Sequence, residues 1–124
     1  SMQWAIVPWG CRKLLEWIDQ RYDHPEIVIT ENGCAFNDSC IKGVVEDKDR
    51  IEFFKGYLTE IKNAIDKGAN VKGYFIWSLM DNFEWALGYD KRFGIIYLDE
   101  KLNRIPKASA DWYSRVIDGN KVVD

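Results

Sequence analysis

Two carboxylates in this chain stand where a packing role would not put them. Ile27-Val28-Ile29-Thr30 suits a buried parallel strand, and it delivers Glu31 to the strand's C-terminal end before Asn32-Gly33 turns the backbone away. A charge at that point is costly to desolvate, so packing alone does not account for it. The design recurs at Gly73-Tyr74-Phe75-Ile76-Trp77-Ser78-Leu79-Met80-Asp81-Asn82-Phe83-Glu84-Trp85, where an apolar strand leads into a loop with a second carboxylate between indoles. A carboxylate aimed from a rigid strand exit can attack or protonate, and an indole face can carry an apolar ring surface. Two such junctions in succession place carboxylates and aromatic rings together at the exits of consecutive strands.

The elements that must hold these residues follow from periodicity. Apolar Cys11, Leu14, Leu15, Ile18 and Tyr22 share one helical face between Trp9 and Tyr22, and His24-Pro25 forces the chain out of helix into the strand at Ile27. Residues 34–48 read as a polar loop, with Asn37, Asp38, Ser39 and Gly43 as turn formers. Asp47 or Asp49 can cap a helix to Lys67 that turns Ile51, Phe54, Leu58, Ile61 and Ile65 inward, with Gly68 as its stop. A strand from Val71 to Leu79 comes next. Gly88 to Leu98 reads as a loop with a short extended piece, and Pro106 opens a last helix through Val116. Strands separated by a long helix imply a parallel crossover.

Composition narrows the function classes. A net charge of −3 with interspersed signs offers no basic footprint for nucleic acid and no polybasic membrane signal. No apolar run approaches the ~20 residues of a membrane-spanning helix. Cys11, Cys34 and Cys40 are odd in number and lack metal-ligand spacing, and His24 is the only histidine, so no metal or cofactor is expected. Reduced thiols in a cytoplasmic setting are the plain reading, with Cys34 near Glu31 as a candidate for oxidation. Six tryptophans favour an aromatic-lined ligand site.

The motifs together resemble the β-glucosidases of glycoside hydrolase family 1. Val7-Pro8-Trp9-Gly10, Ile29-Thr30-Glu31-Asn32-Gly33, Trp77-Ser78 through Glu84-Trp85, Lys91-Arg92-Phe93-Gly94 and Arg104-Ile105-Pro106-Lys107-Ala108-Ser109 occur in the family's order. The likeness covers the chain beyond Ser1-Met2, which read as a vector-derived scar or a start site. It implies an α/β fold: the C-terminal part of a (β/α)8 TIM barrel, with the sixth helix, the seventh strand and helix, and the eighth strand and helix. A complete barrel needs ~250 residues, and this chain has 124, so residues 1–124 form one barrel segment.

The resemblance also implies roles. Glu31 matches the nucleophile of a retaining mechanism, in which two carboxyl groups ~5 Å apart act as nucleophile and as acid then base. Trp77 matches the platform beneath the sugar and is joined to Ser78 by a cis peptide in the family. Glu84 matches the acceptor from the 4- and 6-hydroxyls, Trp85 the donor to the 3-hydroxyl, and Phe93 the wall near the 6-hydroxymethyl group. Glu84 and Phe93 argue against 6-phosphorylated glycosides even though Lys91 is retained. The implied substrate is an unphosphorylated β-D-glucoside, with galactosides or fucosides as alternatives.

The family's acid/base glutamate lies in a Thr-Xaa-Asn-Glu-Pro motif that this sequence does not contain. Asp47, Asp49 and Glu52 do not replace it by spacing; they read as an N-cap and helix surface. The residues that hold the nucleophile ionised also belong to the part not present. A rival reading is therefore a non-catalytic fragment, a module for assembly or sugar binding that is inactive alone. Two strands with open edges should leave Phe53, Phe54, Phe75, Ile76 and Trp112 partly wet. The expected partners are a complementary N-terminal barrel segment or a second copy joined through those edges.

Overall fold

The computed structural model describes residues 2–124; of the Ser1-Met2 pair, Ser1 lies outside the described residues. The chain runs α1 (Pro8–Arg21), β1 (Ile27–Asn32), α2 (Lys48–Asp66) and β2 (Val71–Ile76). A 3-10 turn (Trp85–Leu87) follows, then β3 (Ile96–Leu98), β4 (Arg104–Pro106) and α3 (Ala108–Gly119). Strands β1 and β2 pair in parallel across the α2 crossover, as the sequence implies. The β3–β4 pair is an antiparallel hairpin.

Helix α1 starts on Pro8, whose missing N–H costs nothing in a first turn, and ends before Asp23 and His24, both at positive φ. It lies against α2 through Leu15 and Ile61, in a cluster with Ala64 and Ala69 that receives Ile27, Ile29, Val71 and Tyr74 from the strands. The other end of α2 supplies Phe53 and Phe54 to a second cluster with Cys34, Ile95, Trp112 and Val116. One helix therefore buries two faces, one near each end. That is why Ile65, expected inward, is exposed while Phe53 and Ala64 are buried. Lys67 closes α2, and Gly68 at φ +110° turns the chain away.

The apolar inventory is drier than the open sheet suggests. Phe53, Phe54 and Trp112 are buried, because α3 and the terminal Val122 and Val123 cover that cluster. The Trp112 indole N–H donates to the Val123 carbonyl at 2.9 Å. Phe75 is exposed and Ile76 half-buried, as expected, and Val28 and Leu79 are exposed with Phe75 on the opposite face of the strip and beyond β2. Two other expectations change. The second strand ends at Ile76 rather than Leu79, and Pro106 belongs to β4 rather than opening α3; the short extended piece expected before Leu98 is β3, paired with β4 in a hairpin.

The register of the parallel pair is irregular in a way that matters below. Ile27 opposes Val71 and Val28 opposes Gly73, so Lys72 is an extra residue on β2. Ile29 opposes Tyr74 and Asn32 opposes Ile76, so an extra residue lies at Thr30-Glu31 on β1. The two insertions cancel in length, and the strand exits come out level.

Candidate active site

Side chains alternate along a strand, so an unbroken β1 would send Glu31 to the same face as Ile27 and Ile29, into the helices. The extra residue reverses this. Thr30 and Glu31 are both exposed, and Asn32 takes the helix-side position. The insertion at Lys72 does the same for β2: Val71, Tyr74 and Ile76 pack on the helix side, while Phe75 and Trp77 stand on the open side. Glu31 and Trp77 thus share the open face at the exits of neighbouring parallel strands.

The junction is tied closely. The Trp77 N–H donates to the Asn32 carbonyl at 2.8 Å, extending the ladder past β2. Gly33 lies so close to the Trp77 carbonyl oxygen that a Cβ there would sit 1.7 Å from it. No larger residue fits. The Trp77–Ser78 peptide is cis. The Ser78 N–H donates to the Phe93 carbonyl and the Ile95 N–H to the Ser78 carbonyl, so the loop after β2 is sewn to the segment before β3.

Trp77 is 39 % exposed on the open side, and Trp85, in the 3-10 turn, is 83 % exposed. Glu84 is half-buried; its carboxylate accepts from the Asn82 amide at 3.0 Å, and its N–H closes the turn onto the Gly88 carbonyl. Phe93 is buried, with the Trp4 ring 6.1 Å away between centroids. No hydrogen bond or ion pair among the described residues engages the Glu31 carboxylate.

The model of the glycosyl hydrolase family 1 matches residues 1–122. The chain belongs to glycosyl hydrolase family 1. It is 52 % identical to beta-glucosidase 4 of Oryza sativa subsp. japonica over 126 aligned residues, covering 97 % of this chain and 26 % of that enzyme. It is 47 % identical to beta-glucosidase A of Thermotoga maritima over 126 aligned residues, covering all of this chain and 28 % of that enzyme. The solved family 1 β-glucosidase of Thermotoga maritima superposes with a TM-score of 0.96 over the whole chain and 28 % of its own length. Its castanospermine complex superposes at 0.95. The chain spans about a quarter of the length of these curated relatives.

This family 1 segment contains a second cluster that the sequence did not disclose. Lys107, fully buried, reaches Asp38 at 2.5 Å and Asp81 at 2.7 Å. Arg50, also fully buried, pairs with Asp38 at 2.8 Å and Asp47 at 2.5 Å, and Arg92 pairs with Asp81 at 2.7 Å. Three cations thus meet three carboxylates. Burial, and then the nearby Arg50 charge, lower the Lys107 pKa, while its two carboxylates pull the other way. Asp47 stands at the N-cap position of α2 as expected, but its carboxylate makes no cap hydrogen bond and accepts from the Ser109 N–H and hydroxyl. Asp38, expected as a turn former, is an ion-pair partner.

Asp81 also accepts from the Gly94 N–H at 3.1 Å, and a Cβ on Gly94 would lie 2.2 Å from the Asp81 nitrogen. This anchors the loop bearing Trp77, Glu84 and Trp85 to the rest of the segment. Trp4, 58 % exposed, also stands beside Phe93. It lies outside any periodic element, so only the fold brings it to the site. Cys34 is buried, and desolvation raises its thiol pKa, the opposite of a reactive thiolate.

Proposed function

We propose that this chain is the C-terminal barrel segment of a retaining β-glucosidase that hydrolyses unphosphorylated β-D-glucosides in the cytoplasm. Glu31 is the nucleophile: its carboxylate attacks the anomeric carbon and forms a glycosyl-enzyme ester that water then cleaves. Trp77 carries the apolar face of the sugar, Glu84 accepts from the 4- and 6-hydroxyls, Trp85 donates to the 3-hydroxyl, and Phe93 backs the 6-hydroxymethyl region. The observation that carries this reading is the shared open face of Glu31 and Trp77 at level strand exits. Charge-assisted bonds from Glu84 make recognition selective, because a missing hydroxyl leaves a carboxylate unpaired.

The acid/base and the remainder of the sugar subsite come from the rest of the barrel. Val28, Phe75 and Leu79 are the apolar surface that such a partner would cover. The test is to exchange this chain for the matching segment of the Thermotoga maritima enzyme, and to assay the chimaera and the isolated chain on aryl β-glucosides. The chimaera should turn over. The chain alone should not, since losing general acid catalysis alone forfeits ~10²–10⁴ in rate. Hydrolysis of an unactivated disaccharide by the pure chain, or a folded chimaera without activity, would overturn the reading.

A further inference from the structure

We propose that Tyr74 is the positioning residue for Glu31, acting through Asn32 to hold the strand irregularity that aims the carboxylate; the inference rests on Glu31 being the nucleophile. The Tyr74 hydroxyl donates to the Asn32 side-chain oxygen at 2.8 Å. Tyr74 opposes Ile29, the last regular residue of β1, and Asn32 is the first residue after the insertion. The bond therefore spans the two positions between which the extra residue lies. A parallel pair can absorb such a residue in more than one way, and each way points Glu31 differently. Fixing Asn32 on the helix side leaves only arrangements with Glu31 on the open side.

Tyr74 is itself held. Its ring packs in the cluster of Leu15, Ile61, Ala64 and Ala69, and its carbonyl accepts from the Tyr113 hydroxyl. Burial raises the pKa of the phenol, so it stays protonated and able to donate. The Asn32 carbonyl receives the Trp77 N–H at 2.8 Å, so the same residue fixes the sugar platform's strand exit. Tyr74 stands on the helix side of the sheet and its hydroxyl is spent on Asn32, so it acts without touching substrate.

The test uses the chimaeric barrel carrying Tyr74→Phe, Asn32→Ala and the pair together. Tyr74→Phe should lower kcat about tenfold, as small misalignments of a reacting group do, with KM changed less than twofold. The double variant should lose no more than Asn32→Ala alone, because the hydroxyl works only through that side chain. Full kcat in Tyr74→Phe, additive losses in the pair, or parallel changes in kcat and KM would overturn the proposal. Should Tyr74→Phe not fold, Asn32→Ala decides by the same split between kcat and KM. A parent chimaera without turnover would sink the nucleophile reading instead. Hydrogen exchange in the 124-residue chain then still decides: the Trp77 amide should exchange about tenfold faster in Tyr74→Phe, and unchanged exchange would refute the pin.

Discussion

Glu31→Gln in a completed barrel is expected to lower turnover on the order of 10⁴- to 10⁶-fold, the range seen when one member of a catalytic unit is removed. The amide has the size of the carboxylate but cannot form the ester to the anomeric carbon. Trp77, Glu84 and Trp85 are untouched, so affinity for a neutral sugar-shaped inhibitor should change only a few-fold. Glu84→Gln should behave in the opposite sense. Its carboxylate is half-buried and held by Asn82, so losing the charge weakens each bond to the 4- and 6-hydroxyls and raises KM before it lowers kcat. Steady-state kinetics on aryl β-glucosides separates the two variants. Comparable losses of inhibitor affinity in both would mean that Glu31 binds sugar and does not attack it.

Lys107→Met should destabilise the folded segment by about 3–5 kcal/mol, the usual cost of removing one partner from a buried ion pair. The six charged groups Asp38, Asp47, Asp81, Arg50, Arg92 and Lys107 balance, and methionine leaves that cluster one negative charge in excess. Asp38 retains Arg50 and Asp81 retains Arg92, but neither cation lies where Lys107 does, between the two carboxylates. The damage should reach the site, because Asp81 also holds Gly94 and the loop bearing Glu84. Denaturant midpoints of the completed barrel should fall, and inhibitor affinity should fall with them. A shift below about 1 kcal/mol, the size of a surface pair, would show the cluster to be energetically idle.

The sequence disclosed what repeats locally and missed what depends on distant partners. Helices α1 and α2 were legible because Leu15 and Ile61 recur at helical spacing, and Gly68 and His24-Pro25 punctuate them. The parallel pairing followed from the intervening helix. The extended piece at Ile96–Leu98 was legible, but its pairing was hidden because Arg104–Pro106 is only three residues long and ends in proline, so it shows no alternation. Lys107 and Asp38 are 69 positions apart, and no local pattern distinguishes a buried lysine from a solvated one. The strand irregularity was equally silent. Ile27-Val28-Ile29-Thr30 reads the same with or without an inserted residue, and only the pairing with β2 reveals which face Glu31 takes.

Glu31 stood out as a carboxylate at a strand exit and Trp77 came from the family resemblance, and their shared face came from two insertions that no motif records. Trp85 and Glu84 were legible as a pair in a loop, but the Asp81 anchor beneath them was not. Val28 and Phe75 are exposed on the outer side of the strip, the side on which the sequence placed the open strand edges.

The most direct test of the central claim is a covalent one. The completed barrel is treated with a 2-fluoroglucoside bearing a good leaving group, which forms the glycosyl-enzyme ester but slows its hydrolysis, and the labelled protein is digested and mapped by mass spectrometry. The label should fall on the peptide containing Ile29-Thr30-Glu31-Asn32-Gly33, at Glu31, and Glu31→Gln should abolish it. A label on Glu84, or on a carboxylate outside this segment, would contradict the assignment of the nucleophile.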